Sequence, residues 1–170
     1  NNLKSFEDKI GYIFKNKENL VLALTHSSYA NENRDLKLQS NERVEFLGDA
    51  VLEISVSEKI YRNYSNLREG ELTKVRANIV CETSLIKCSN NIEIYKYILL
   101  GKGEEITGGR TRVSLLADAF EAVIGAIYID AGLEPAKEFV YRHMDNLIAD
   151  CARGNIAMDY KTQLQEVVQK

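Results

Sequence analysis

Five carboxylates in two segments have spacings that can do chemistry. Glu42, Glu45 and Asp49 stand at i, i+3 and i+7. At 100° per residue a helix brings them within about 60° of one another. Val44, Leu47, Val51 and Ile54 fall on the opposite side, as a core stripe. Three like charges on one face repel, by about 4 kcal/mol per pair at 4 Å and an effective dielectric near 20. A divalent cation would remove that repulsion. A solvated acidic face is the alternative, and the same wheel also admits Glu53.

The second segment shifts the balance towards a cation. Between Leu115 and Ile129 the only charges are Asp118 and Glu121, spaced i, i+3. A helix apolar on nearly all sides is a buried central helix. Carboxylates in it carry a desolvation cost of several kcal/mol each unless paired or metal-bound. The helix N-terminus eases part of that cost. Two carboxylate-bearing helices can converge on a hard cation, and oxygen donors suit Mg²⁺ or Mn²⁺. Di-iron sites on helices need Glu-x-x-His pairs. The two histidines, His26 and His143, do not follow a Glu at that spacing, which disfavours iron. His26-Ser27-Ser28 reads as packing or capping rather than a nucleophile.

The elements that must position these groups are helical. A chain of 170 residues holds one well-cored domain. Hydrophobic residues make up 45% and charged residues 28%, with one proline and no tryptophan, so the fold class expected is all-α. The net charge of −3 argues against a strongly basic, duplex-binding surface. Cys81, Cys88 and Cys151 form no C-x-x-C pair and read as reduced thiols rather than a zinc site or disulfide framework. The N-terminus lacks a signal-peptide core, and no apolar run approaches the roughly 20 residues of a spanning helix. A soluble, cytoplasmic protein is expected.

Two short helices fit Leu3–Phe14 and Leu20–Leu24. Thr25–Ser40 reads as a loop, and Ser40 or Asn41 can cap a long helix to about Tyr64. Helical periodicity resumes at Leu72 and continues through Ile86. Ile92–Leu100 is either a short strand or an irregular segment. Glycine-rich Gly101–Arg112 reads as a mobile loop. Ser114 can cap the apolar helix Leu115–Ile129, and Pro135 opens the next, which runs to about Ala149.

Asn41-Glu-Arg-Val-Glu-Phe-Leu-Gly-Asp-Ala-Val-Leu52 closely resembles the signature of the ribonuclease III family. Ser114-Leu-Leu-Ala-Asp-Ala-Phe-Glu-Ala-Val-Ile-Gly-Ala-Ile-Tyr-Ile-Asp130 resembles its second block. Val44, where leucine is frequent, is a conservative departure. The resemblance implies a homodimeric ribonuclease III endonuclease domain-like helical fold over residues 1–150. It implies that Glu45, Asp49, Asp118 and Glu121 hold Mg²⁺, with Mn²⁺ able to substitute, and that Asp49, Glu121 and Glu42 serve catalysis. Glu69, before Gly70, resembles an acidic residue that binds substrate in the RNA-cutting valley. Phe46 lies about 40° from Glu42 on the wheel, away from the core stripe, where a large apolar side chain wants a partner. The resemblance implies that the partner is a socket of the second subunit. Residues 151–158 read as a linker. Residues 159–170 resemble the first helix of a double-stranded RNA-binding domain, so the chain is expected to be truncated within that domain. The rest of that domain would supply phosphate contacts, which partly answers the acidic charge balance.

The reaction implied is hydrolysis of phosphodiesters in double-stranded RNA, for RNA processing. Its products carry 5′-phosphate and 3′-hydroxyl ends and a short 3′ overhang. Duplex RNA is read mainly by shape, 2′-hydroxyls and phosphates, so weak sequence specificity is expected. Two other classes stay open at this point. Non-catalytic RNA-binding relatives would lack the metal carboxylates, and an unrelated helical metal-binding module would bind metal without cleaving RNA.

Overall fold

The computed structural model describes residues 2–168, with the side chains of 156–164 and 166–168 outside the description. Among the described residues nine α-helices follow in order: α1 Asn2–Ile10, α2 Lys17–Leu24, α3 Ser27–Glu32, α4 Glu42–Asn63, α5 Glu69–Val80, α6 Glu82–Asn91, α7 Lys102–Ile106, α8 Val113–Ala131 and α9 Leu133–Val168. Short 3₁₀ turns occupy Arg34–Leu36, Ile94–Lys96 and Gly109–Thr111. No strand is present among the described residues, as the composition predicts.

Helix α8 is the centre of the fold. Leu115, Leu116, Ala117, Ala119, Phe120 and every residue from Ala122 to Ile127 are buried. It packs against α2, α4, α6 and α9. Phe120 meets Phe139 of α9 with ring centroids 5.5 Å apart. The helix ends at Gly132, whose φ of 91° a side chain would strain. At its last turn Asp130 accepts from the Tyr12 hydroxyl, Lys15 N (2.8 Å), Asn16 N (2.9 Å) and Asn19 Nδ2 (3.0 Å). Burial pushes the Asp130 carboxyl up, but these donors outweigh it and hold the pKa at about 2. The α1–α2 connection is thereby fastened to the central helix.

Helix α4 crosses α8 closely. Its buried stripe is Val44, Gly48, Val51, Leu52, Ser55, Val56 and Ile60. Ile54, expected in that stripe, is 51% exposed, and Leu47 is only half-buried. The start of α4 is fixed by long-range bonds instead of a side-chain cap. Asn41 N donates to Thr25 O (2.8 Å) and Asn41 Nδ2 to Ala23 O (3.1 Å), so this buried residue ties α4 to the end of α2.

Three local expectations are corrected, and the alternative left open at Ile92–Leu100 is decided for the irregular segment. The Thr25–Ser40 loop contains α3, capped by His26, whose Nδ1 accepts from Ser28 N. Ile92–Leu100 forms a 3₁₀ turn and only a single parallel bridge, Leu99 to Thr25. The glycine-rich Gly101–Arg112 segment holds α7 and a 3₁₀ turn rather than an open loop. Glu32 accepts from Lys102 N (2.7 Å), and Arg110 donates to the carbonyls of Tyr95 and Ile98. Glycine content hides such side-chain-to-backbone ties. The helical run through Leu72–Ile86 breaks at Cys81 into α5 and α6.

Helix α9 continues from Leu133 through Val168 with no break at residues 151–158. A linker there is therefore helical, and Ala152 is still fully buried in the core. Side-chain evidence for an RNA-binding helix at 159–170 lies outside the described residues.

Candidate metal centre

The α4–α8 crossing brings Glu45, Asp118 and Glu121 together. One carboxylate oxygen from each lies within 4.8 Å of the others. Metal–oxygen bonds of about 2.0–2.6 Å allow two ligands of one ion to sit up to about 5 Å apart. The triplet therefore fits a single hard cation, and its donor set is all oxygen.

The cluster is electrostatically unhappy without one. Burial, then the charges of Asp49, Glu45, Asp118 and Glu53, push the Glu121 carboxyl up to about 8. Glu121 is only 9% exposed. Burial, then Asp118, Glu42 and Asp49, raise Glu45. Burial, then Glu82, raise Asp118, while His26 opposes them. Groups that favour a proton in the metal-free protein favour a divalent cation more strongly.

The remaining candidates separate. Asp49 is exposed and outside the triplet, yet its charge acts on both Glu121 and Glu45. Glu42 is exposed at the first turn of α4, where its Oε2 accepts from Ser40 Oγ at 3.2 Å. Glu69 opens α5 and accepts from Thr73 Oγ1 (3.0 Å). It lines a groove between α4 and α5 with Ile54, Tyr61, Leu72 and Arg76, and the carboxylate triplet is not part of that lining. Glu53, the other wheel candidate, pairs with Arg76 at 3.1 Å. Phe46 is 80% exposed, beside a cavity of about 610 Å³ that Leu22, Val44, Leu47 and Ile129 also line.

Sequence reasoning missed two pairs of neighbours. His26 and Glu82 both act on Asp118, and neither spacing nor periodicity links them to it. Gly48 and Gly125 make the crossing possible. A Cβ on Gly48 would lie 1.8 Å from the Glu121 carbonyl oxygen, and one on Gly125 would lie 2.2 Å from the Val44 carbonyl oxygen. A glycine in each of two strong helical patterns was the available signal, because each costs about 1 kcal/mol relative to alanine.

The raised Glu121 pKa gives a pH prediction for the metal-free protein. From pH 4.5, the ordinary value, to about 8, the folded chain holds a proton that the unfolded chain has released. Stability therefore falls as pH rises through that window. Glu45 and Asp118 shift in the same direction. After solvent screening, the decline owed to Glu121 is about 2 kcal/mol. Denaturant titrations in chelator at pH 5 and pH 8.5 should show it, and it should shrink in Glu121→Gln. An equal decline in that variant would assign the effect elsewhere.

Fold and site together define an all-α domain with a carboxylate cluster at a helix crossing. Residues 16–147 match the sequence profile described as Ribonuclease-III-like. The chain is 52% identical over 169 residues to a "Ribonuclease 3" of Clostridium perfringens, covering 99% of this chain and 70% of that protein. It is 52% identical over 170 residues to a "Ribonuclease 3" of Shouchella clausii, covering 98% of this chain and 65% of that protein. Among solved structures, a nuclease domain of ribonuclease III from Campylobacter jejuni superposes with a TM-score of 0.79 at 40% identity. That match covers 85% of this chain and 96% of the other, and the structure is described for flexibility in a region involved in dimer formation. The chain belongs to the ribonuclease III family, and its folded domain is that family's endoribonuclease domain.

Proposed function

We propose that this domain hydrolyses phosphodiesters of double-stranded RNA with Mg²⁺, or Mn²⁺ in its place, leaving 5′-phosphate and 3′-hydroxyl ends with a short 3′ overhang. The observation that carries the reading is the convergence of Glu45, Asp118 and Glu121, with oxygens within 4.8 Å, in a chain of this family. Asp49 completes the ligand set from the turn of α4 after Glu45. A bound divalent cation supplies Lewis acidity and a lowered pKa for water. The chain's own part is placement. Glu121 is anchored on the most buried helix, and Asp118 and Glu45 are held at the same crossing. The apolar body of α8 keeps the inner side of the cluster dry, which strengthens every charge interaction there. Glu42 and Glu69 are assigned to substrate at the rim. The reading places the protein in the cytoplasm, in RNA processing. Among the described residues, no helix is long and apolar enough to cross a membrane.

The direct test is long duplex RNA with the purified protein, with Mg²⁺ and with chelator. Cleavage to short duplexes is expected only with the metal, and single-stranded RNA should persist. Duplex binding without any cleavage in Mg²⁺ or Mn²⁺ would favour a non-catalytic RNA-binding protein instead.

The same reading makes the active form a homodimer through α4, with Phe46 seated in the partner. Its support is an aromatic ring left 80% exposed on its own protomer, next to a cavity lined by both apolar and polar side chains, among them Leu22, Leu47 and Ile129 with Gln39 and Arg43. Phe46→Ala should weaken dimerisation by about 2 kcal/mol or more, roughly 30-fold in Kd. Sedimentation across a concentration series measures this. A variant that dimerises as tightly as the parent would remove Phe46 from the interface.

A further inference from the structure

The acidic row of α4 does not end at Asp49. Glu53 follows Asp49 by four residues, and Ser57 follows Glu53 by four. On a helix, residues four apart stand about 6 Å along the axis and about 40° around it. Glu45, Asp49, Glu53 and Ser57 therefore form one slowly turning row along α4. Helical side chains lean towards the N-terminal turn, over the residue four before them. An unpaired Glu53 would lean over Asp49, within reach of the metal centre. Its charge is already felt there: after burial and the charges of Asp49, Glu45 and Asp118, Glu53 also pushes the Glu121 carboxyl up.

Arg76 of α5 holds Glu53 elsewhere. Its Nε lies 3.1 Å from Glu53 Oε2, and its Nη1 donates to Ser57 Oγ at 3.0 Å. The planar guanidinium bridges two positions one turn apart and draws the Glu53 carboxylate towards Ser57, on the side away from Asp49. The same division runs along the rest of α4. Glu53 is paired with Arg76, and Glu58 with Arg62 and Lys137. Among the described residues no lysine or arginine pairs with Glu45, Asp49, Asp118 or Glu121. Arg76 thus stands at the boundary between carboxylates left open for a cation and carboxylates already neutralised. Both side chains of the Arg76–Glu53 pair are 40% exposed, and such pairs contribute little to stability. The consequence of this one lies in where it puts the carboxylate.

We propose that Arg76 is a positioning residue of the metal centre, which keeps Glu53 out of the ligand set so that Glu45, Asp49, Asp118 and Glu121 hold the cation with room left for water and an RNA phosphate. The inference rests on the metal-dependent cleavage proposed above. A further carboxylate would tighten the hold on a hard cation, whose affinity follows the charge of its ligands. It would also fill a position that water or substrate needs. Loss of Arg76 therefore has a particular signature, tighter metal with slower turnover. A residue that only tied α5 to α4 would loosen the metal when removed.

The test titrates the full chain with Mg²⁺ alone by calorimetry, without RNA, and then measures single-turnover cleavage of duplex RNA at saturating Mg²⁺. Arg76→Ala should bind Mg²⁺ at least about threefold more tightly than the parent and cleave at least about tenfold more slowly. Glu53→Gln alone should stay within about twofold of the parent in both, and combined with Arg76→Ala it should restore both. Arg76→Lys, which keeps the charge without the fork, should fall between Arg76→Ala and the parent. Thermal unfolding without metal checks the fold of each variant, and Arg76→Gln gives the same reading should the alanine variant fail to fold. Unchanged or weaker Mg²⁺ binding in the Arg76 variants, while the parent binds Mg²⁺ and cleaves, would overturn this inference alone. So would a tenfold loss of Mg²⁺ affinity in Glu53→Gln, which would make Glu53 a ligand. A parent that binds no Mg²⁺ would overturn the proposed function and this inference with it.

Discussion

Glu121→Gln should lower duplex RNA cleavage by at least about a thousandfold, a loss of about 4 kcal/mol of transition-state stabilisation, while leaving duplex binding intact. Glutamine keeps the length and one acceptor oxygen and removes the charge that a hard cation needs. No other carboxylate can take over. Asp118 and Glu45 already occupy the other two corners of the triplet, and Glu53 is paired with Arg76. The rest of the α8 surface around Glu121 is apolar and buried. Binding rests on phosphate and 2′-hydroxyl contacts spread over a wide surface, and losing one negative charge there removes repulsion.

The measurement pairs single-turnover cleavage in Mg²⁺ with a gel shift in Ca²⁺, another hard cation with oxygen ligands. Thermal unfolding of the metal-free variant separates chemistry from folding. The substitution removes a carboxylate that favours a proton up to about pH 8, so the variant should be at least as stable as the parent at pH 8. Cleavage within tenfold of the parent would show that Glu121 is not a ligand. A destabilised variant would show that its carboxylate is structural.

What could be read from the sequence divides along a physical line. Asp118 and Glu121 stood out because charge inside an otherwise apolar helix is costly, and that cost survives without coordinates. The central place of α8 followed from the same pattern. Helical spacing put Glu45 on one face with Glu42, Asp49 and Glu53 but could not choose among them; the resemblance to the ribonuclease III family placed it in the expected set. The core stripe of α4 was partly misread, since Ile54 is exposed. A wheel assigns one inward direction, whereas a 22-residue helix crossing α8 at a close contact buries different faces along its length. The short helices α3 and α7 were missed because they are held by long-range side-chain-to-backbone bonds, such as Glu32 to Lys102 N. The continuity of α9 past residue 150 was missed because Arg153-Gly154-Asn155 interrupts the helical pattern in composition. Glu82 and His26 reach Asp118 through tertiary folding alone, and no local pattern announces them.

Gly48→Ala should destabilise the domain by about 3 kcal/mol and loosen the metal centre with it. On an exposed helix this substitution stabilises by about 1 kcal/mol. Here the added Cβ would sit 1.8 Å from the Glu121 carbonyl oxygen and 2.9 Å from Gly125 N, both backbone atoms. Backbone cannot rotate away, so α4 and α8 must separate by an ångström or more. Overpacking of this kind costs typically 1–3 kcal/mol, occasionally more. The upper end applies because the whole crossing moves, and for a domain of this size it is a fall of about 10 °C in Tm. The carbonyl in the way belongs to Glu121 itself, and Glu45 sits one turn before Gly48. Separation therefore widens the triplet and should weaken Mg²⁺ binding as well as folding. Gly125→Ala, pressed against Val44 O from the other helix, should do the same. Gly154→Ala on α9, with nothing within 4 Å of its Cβ, should leave the domain unchanged or slightly more stable. Thermal unfolding with and without Mg²⁺ reads both effects, since metal bound only by the folded state raises Tm. If Gly48→Ala keeps the parent's Tm and its Mg²⁺-induced rise, the close crossing does not hold the carboxylates in place.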